Sequence, residues 1–305
     1  MLSFYQQLWL WDTQGEKIAD FNIEKPLWVF VGNKVADDDS DILTVVRFLG
    51  EFLTEDARSV RWIADLIADN AQLLDAKAQN IFTGRFTPIS TMSADEIYAD
   101  ILRRLFNAQS RQRLKLVNLK GSKGELALRV GTAEPFGLIS IGDDSGFFKN
   151  ASEGEEPFDA ESDDFGAGLF GTLNDKESKL NVLIGSRKFT EGWSSWRVST
   201  MGLLNMGQGE GSQIIQLFGR GVRLKGRGMS LKRSTQAERQ TFAKGAHLDK
   251  LETLNIFGVR ASYMATFKDY LREEGITPSD EIIELDFPTK PNLPGKARLK
   301  TLKLK

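Results

Sequence analysis

Gln216, Gly219, Arg220 and Arg223 stand in the spacing Q-x-x-G-R-x-x-R within SQIIQLFGRGVRL, residues 212–224. The run reads as a short helix ending at glycines, and residues three or four apart on a helix share a face. Arg220 and Arg223 are therefore expected to project toward one target, with Gln216 one turn behind them. Fixed guanidinium donors of this kind can stabilise the negative charge that builds on phosphoryl oxygens during transfer. Gly219 and Gly221 keep the backbone around them uncluttered. A lone Gly-Arg-Gly-x-Arg is more often a turn with surface arginines, so the reading depends on what surrounds it.

Other chemistries have few residues to draw on. The 305 residues include no cysteine and one histidine, His247. Disulfides, cysteine-ligated zinc, iron–sulfur clusters and thiol nucleophiles are thereby excluded, and any histidine-based site would have to centre on His247. Glu284, Asp286 and Lys290 resemble a Mg²⁺-dependent nuclease set only loosely, because Pro288 interrupts the strand such a set needs. A doubly wound small-molecule enzyme is disfavoured by the lack of a Gly-rich first βα turn. Gly207-Gln208-Gly209-Glu210-Gly211 is no substitute, since Ser212 already begins the arginine helix.

The elements that would position the arginines read as strand, loop and helix in alternation, the pattern of an α/β protein with a parallel sheet. After a lead-in segment, residues 1–25, LWVFVG (27–32) is a short apolar run expected to be buried on both faces. Its exit at Gly32-Asn33 opens a polar loop, and Ile42, Val45, Val46, Phe48, Leu49 and Phe52 mark a covering helix. Ala57 to Lys77 reads as a second helix, and Ser93 with Glu96 forms a capping box for a third. LKLVNL (114–119), ELALRVG (125–131) and FGLISIG (136–142) read as strands, the first two joined as a hairpin through Lys120–Gly124. Residues 143–178, acidic and Gly-rich, are expected to form a mobile loop. Strands resume at NVLIG (181–185) and STMGLLNM (199–206); Tyr263 to Glu274 reads as a late helix, followed by an extended, Pro-containing basic tail.

In this order of elements, the sequence resembles the second RecA-like domain of superfamily-two helicases and translocases, most closely the DEAD/DEAH-box helicase subunits of type III restriction enzymes. LWVFVG corresponds to motif IV, NVLIGSRKFTEGWSS with its Glu191-Gly192-Trp193 loop to motif V, and QLFGRGVR to motif VI. The resemblance covers residues 26–272 and implies a RecA-like parallel sheet flanked by helices, carrying an inserted β-hairpin and an acidic loop. It divides the chain into a helicase domain at 26–248, with an insertion at about 107–178, and a C-terminal helix and tail at 249–305. By the same resemblance Arg220 and Arg223 act as arginine fingers on ATP, and Gln216, Gly192 and Ser194 contact the nucleotide. Gly32, Asn33, Ser186, Thr190 and Trp193 fall where relatives meet the nucleic acid. Two alternatives stay open: turn capping for Ser186 and Thr190, and packing for Trp193 and Trp196.

The sequence departs from the family in two places. Ser194 stands where many relatives carry Asp, so any ribose contact there rests on a hydroxyl without charge. The G-x-x-x-x-G-K-[ST] loop for ATP and the Asp-Glu box for Mg²⁺ both belong to the first lobe of such enzymes, and neither occurs here. The resemblance thus implies the C-terminal half of a larger motor, inactive alone, with ATP and Mg²⁺ held mainly by an N-terminal RecA-like lobe. Its expected partners are that lobe, double-stranded DNA, and a methyltransferase or other restriction-system subunit.

Charge is balanced overall, 40 Lys+Arg against 42 Asp+Glu, but not locally. Residues 143–164 hold nine acids against Lys149 alone, whereas 220–250 is strongly basic. A basic stretch can track a phosphate backbone, and it can equally be a solvated face. Both charge runs also suit a rival from another class, a non-catalytic helicase-like module that binds protein or nucleic acid. No membrane-spanning run or secretory start is apparent, and a reducing cytoplasm is the expected setting.

Overall fold

LWVFVG sits where a fully apolar run should, in the middle of a sheet. The computed structural model describes residues 1–32, 34, 40–75, 77–186, 193–205, 216, 219, 224–234 and 246–259, and all structural statements concern these. The strand β1 (Leu27–Gly32) is buried at all six positions. The other strands are β2 (Leu114–Leu119), β3 (Glu125–Val130), β4 (Gly137–Ser140), β5 (Phe158–Asp163), β6 (Val182–Ser186), β7 (Val198–Leu204) and β8 (Asn255–Val259). They form one sheet in the order β5-β2-β3-β4-β6-β1-β7-β8. The pairs β2/β3 and β3/β4 are antiparallel and all others parallel. Helices flank this sheet, so the α/β class read from the sequence is the class of the structure, an arrangement consistent with a RecA-like fold.

The helices are α1 (Leu2–Thr13), α2 (Gly15–Ile18), α3 (Asp41–Thr54), α4 (Asp56–Ile67), α5 (Ala94–Arg104), α6 (Asp144–Ser152) and α7 (Leu248–Leu251). The helix α3 follows β1 as expected: the Ser40 hydroxyl caps it by accepting from Leu43 N at 3.3 Å, and nine of its residues are buried. The capping box of α5 is also formed, with Glu96 N donating to Ser93 Oγ at 3.2 Å and Ser93 N to Glu96 Oε2 at 2.8 Å. The expected hairpin joins β2 and β3. In it Gly124 takes φ +87°, and a side chain there would also meet Ile141 O at 2.6 Å.

Four expectations need correction. Residues 1–25 contain α1, whose Leu2, Phe4, Tyr5 and Leu8 belong to the main core. This helix is buried around most of its circumference, so no amphipathic stripe announces it. Tyr5 Oη donates to Asp100 Oδ2 at 2.8 Å, tying α1 to α5, and burial with this bond pushes the phenol well above its ordinary range. The second predicted helix ends at Ile67 instead of Lys77, and Asp69 just beyond it turns left-handed at φ 58°.

The acidic stretch is structured, holding α6 and the edge strand β5. Three of its acids pair with bases from elsewhere in the chain: Glu156 with Arg47 at 2.6 Å, Asp159 with Arg113 at 2.6 Å, and Glu161 with Arg129 at 2.8 Å and with Lys115. Hydrogen bonds from Lys115 and Arg129 hold the Glu161 carboxyl below its ordinary range. Since β2, β3 and β4 extend the same sheet as β1, the stretch expected as an insertion at about 107–178 is built into it.

The fourth correction concerns the boundary at 248, which falls inside the folded unit because β8 adds to the sheet beside β7. The predicted helix at Tyr263–Glu274 and the basic tail lie outside the described residues. No helix among the described residues is long and apolar enough to cross a membrane.

Candidate functional site

Parallel pairing sends the carboxyl ends of β1, β6 and β7 to the same edge of the sheet. Gly32 and Ser186 are register partners across β1 and β6, and Val31 pairs with Leu203 across β1 and β7. The chain leaves β1 toward one side, returns at β6 and steps across β1 to β7. In open α/β sheets such a crossing leaves a crevice outside the strand ends, the usual place for ligands. Two residues singled out from sequence as nucleic-acid contacts, Gly32 and Ser186, are thus neighbours at this edge although far apart in sequence.

Asp41, the first residue of α3, organises the edge and is 2 % exposed. Its Oδ2 accepts from Lys34 N at 2.9 Å and its Oδ1 from the Asn205 side-chain amide just past β7. Asn205 N in turn donates to Val259 O at 3.0 Å, which includes the end of β8 in the same lattice of bonds. A carboxylate in the first turn also meets the positive end of the helix dipole. Gly32 is required here for space: a Cβ at that position would lie 2.7 Å from Asp41 Cβ. Replacing Asp41 by Ala strips charge-assisted bonds from a buried site. Its expected cost is about 2–3 kcal/mol of unfolding free energy, measurable by urea titration; a loss below about 0.5 kcal/mol would contradict this organising role.

The opposite, amino-terminal edge is clasped by Arg197, which is 4 % exposed. Its Nε donates to Lys25 O at 2.9 Å, its Nη2 to Leu180 O at 2.6 Å, and its Nη1 to Leu173 O. Leu27 N donates back to Arg197 O at 2.7 Å. One guanidinium therefore joins the entrances of β1, β6 and β7. Burial lowers its pKa to about 10. Burial, with the nearby Arg197 and Lys179 charges, also lowers Lys25 to about 8; the Lys25 ammonium donates to Ser178 O at 3.0 Å.

The remaining sequence candidates divide three ways. Ser194 lies toward the clasped edge, its carbonyl accepting from Asn174 Nδ2 at 3.3 Å next to Leu173, so it is not brought to the Gly32–Ser186 edge. The connection from β6 to β7 must recross the sheet, and by residue 194 it has done so. Trp193 is buried, 8 % exposed. Trp196 is the exposed one of the two, with the Lys225 ammonium 5.8 Å from its ring centroid. Gln216 and Gly219 are helical and exposed, in keeping with the predicted motif helix. Asn33, Thr190, Gly192, Arg220 and Arg223 lie outside the described residues.

Asp41, Asn205 and Arg197 were not singled out from sequence. Only Asp41 carried a local signal, since Ser40 immediately before it is a good N-cap. Among the described residues no group of three or more His, Asp or Glu is placed to hold a metal ion. Both carboxylate oxygens of Asp41 are already engaged, so the donor set at this edge does not resemble a Mg²⁺ site. No family model matches the chain, and neither a curated protein nor a solved structure is similar to it.

Proposed function

We propose that this chain is the C-terminal lobe of an ATP-dependent nucleic-acid helicase or translocase of restriction-enzyme type, working on double-stranded DNA in the cytoplasm. The observation that supports the reading is the strand order β6-β1-β7, which brings the ends of β1 and β6, the segments read as motifs IV and V, together at one sheet edge. In this account an N-terminal lobe holds ATP with its Mg²⁺, and this chain closes on it. Arg220 and Arg223 donate to the γ-phosphate oxygens as charge builds there, worth far more in a closed, water-poor cleft than in solvent. Gln216 sits behind them on the same helix and couples that contact to the nucleic acid, which passes along the edge formed by Gly32 and Ser186. Alternate closing and opening of the two lobes then moves the strand. A methyltransferase or other restriction subunit is the further partner proposed.

One observation favours a second reading, a non-catalytic interaction module. Among the described residues the edge strand β5 has a neighbour on one side only, and Phe165 just beyond it is 96 % exposed, features of a surface that pairs with another chain. ATP turnover by the complete gene product, with and without DNA, separates the two. The motor reading expects DNA-stimulated turnover in the complete product and none in these 305 residues alone. A complete product with no turnover would overturn it in favour of the module.

A further inference from the structure

A second site lies near the amino ends of β7 and β8, across the sheet from the Gly32–Ser186 edge. Here α1, Arg85, Arg233 and the connection from α7 to β8 enclose a cleft of about 170 Å³, lined also by Asp249 and Lys250, which pair at 3.7 Å, and by Glu252. That is room for several waters at about 30 Å³ each, and the lining is polar. Gln7 and Asn255 form fully engaged walls. Gln7 Nε2 donates to Lys250 O at 2.9 Å and Thr253 O at 2.7 Å, while its Oε1 accepts from Thr200 Oγ1 at 3.2 Å. Asn255 Nδ2 donates to Thr200 Oγ1 at 3.4 Å, and its Oδ1 accepts from Arg85.

Two kinds of valence are left over. Neither Arg85 nor Arg233 has a carboxylate within ion-pair distance among the described residues. Arg233 Nη2 donates to the Glu252 backbone carbonyl at 2.9 Å. The Glu252 carboxylate itself is taken by Ser234, from N at 3.0 Å and from Oγ at 2.8 Å. Gln6 is 3 % exposed, and while its Nε2 donates to Arg85 O at 3.2 Å, its Oε1 has no hydrogen-bond partner. A buried acceptor without a donor is uncommon enough to call for an explanation, and a ligand supplying the donor provides one.

We propose that this cleft binds a phosphate that carries a hydroxyl, either inorganic phosphate or a small phosphate monoester. Guanidinium forks match the spacing of phosphate oxygens, and two of them supply the charge for a dianion. The Gln6 acceptor demands a donor on the ligand, which the P–OH of hydrogen phosphate or an alcohol of a monoester supplies. Sulfate has the same shape and no proton to give at neutral pH. The cleft is therefore selective by chemistry and not by charge alone.

Isothermal titration of the full 305-residue chain with inorganic phosphate, glycerol 3-phosphate and sulfate tests this. At least one phosphate compound should bind in a saturable one-to-one manner, with sulfate at least tenfold weaker. The tighter of the two phosphates identifies the source. Arg233→Gln, at an exposed position that tolerates change, should weaken binding at least tenfold, and Arg85→Gln likewise, whereas Arg111→Gln on the surface should leave it within twofold. Should Arg85→Gln fail to fold, Arg233→Gln carries the test. Absence of binding by both phosphate compounds, equal affinity for sulfate, or unchanged affinity in Arg233→Gln would each overturn the proposal.

Discussion

Replacing Arg220 by Ala in the complete gene product is expected to lower DNA-stimulated ATP turnover about a thousandfold, the effect typical of losing an arginine finger. The loss should fall on kcat, because in the proposed role the guanidinium would act where charge develops in the transition state and contribute less to the bound ground state. Arg220→Lys should recover little. An ammonium offers one point charge where the guanidinium offers a planar fork of donors. Arg223→Ala should produce a loss of the same kind, and the double variant less than the product of the two, since both would act on one phosphoryl group. DNA affinity should change little in any of them. Turnover within threefold of the parent in Arg220→Ala would remove the arginine from the chemistry and return it to the surface.

The largest effect on stability is expected at Arg197. This buried guanidinium donates to the carbonyls of Lys25, Leu173 and Leu180, and those groups join the entrances of three central strands. Arg197→Met keeps much of the aliphatic volume but leaves three carbonyls to find other donors. A loss on the order of 3–5 kcal/mol is expected, since bonds from a charged donor contribute more than neutral ones and buried orphaned acceptors are costly. In urea titrations the midpoint should fall with an unchanged slope. Arg197→Lys should not restore the midpoint, because one ammonium cannot span three carbonyls that diverge. A midpoint shift corresponding to less than about 1 kcal/mol would mean that the clasp is not what aligns the strands.

What could be read from the sequence was local, and what could not was long-range. The strand β1 showed as six apolar residues in a row, the α5 cap as Ser93 with Glu96, and the β2–β3 hairpin as two strand runs about a Gly-containing turn. Each of those signals lies within one short contiguous stretch. The helix α1 gave none, because a helix packed on most of its faces has no polar stripe to set its period. The acidic stretch misled for a related reason. Its composition is that of a mobile loop, but Arg47, Arg113, Lys115 and Arg129 are brought to it only by folding.

The candidate edge shows the same division. Gly32 and Ser186 were chosen by resemblance to motifs IV and V, and the structure sets them in register at the ends of β1 and β6. Asp41 stood in a polar run from Asp37, where Ser40 before it signals a helix start but not that the carboxylate turns inward to Asn205. Ser194 and Trp193 were placed by resemblance to motif V, which says nothing of which sheet edge Ser194 lies toward.

The most direct test of the central claim is the structure of the complete gene product bound to double-stranded DNA and a non-hydrolysable ATP analogue. The account predicts the DNA along the Gly32–Ser186 edge and the nucleotide on the N-terminal lobe, with the Arg220 guanidinium about 3 Å from an oxygen of its terminal phosphate. A nucleotide bound elsewhere, with Arg220 turned to solvent, would contradict it.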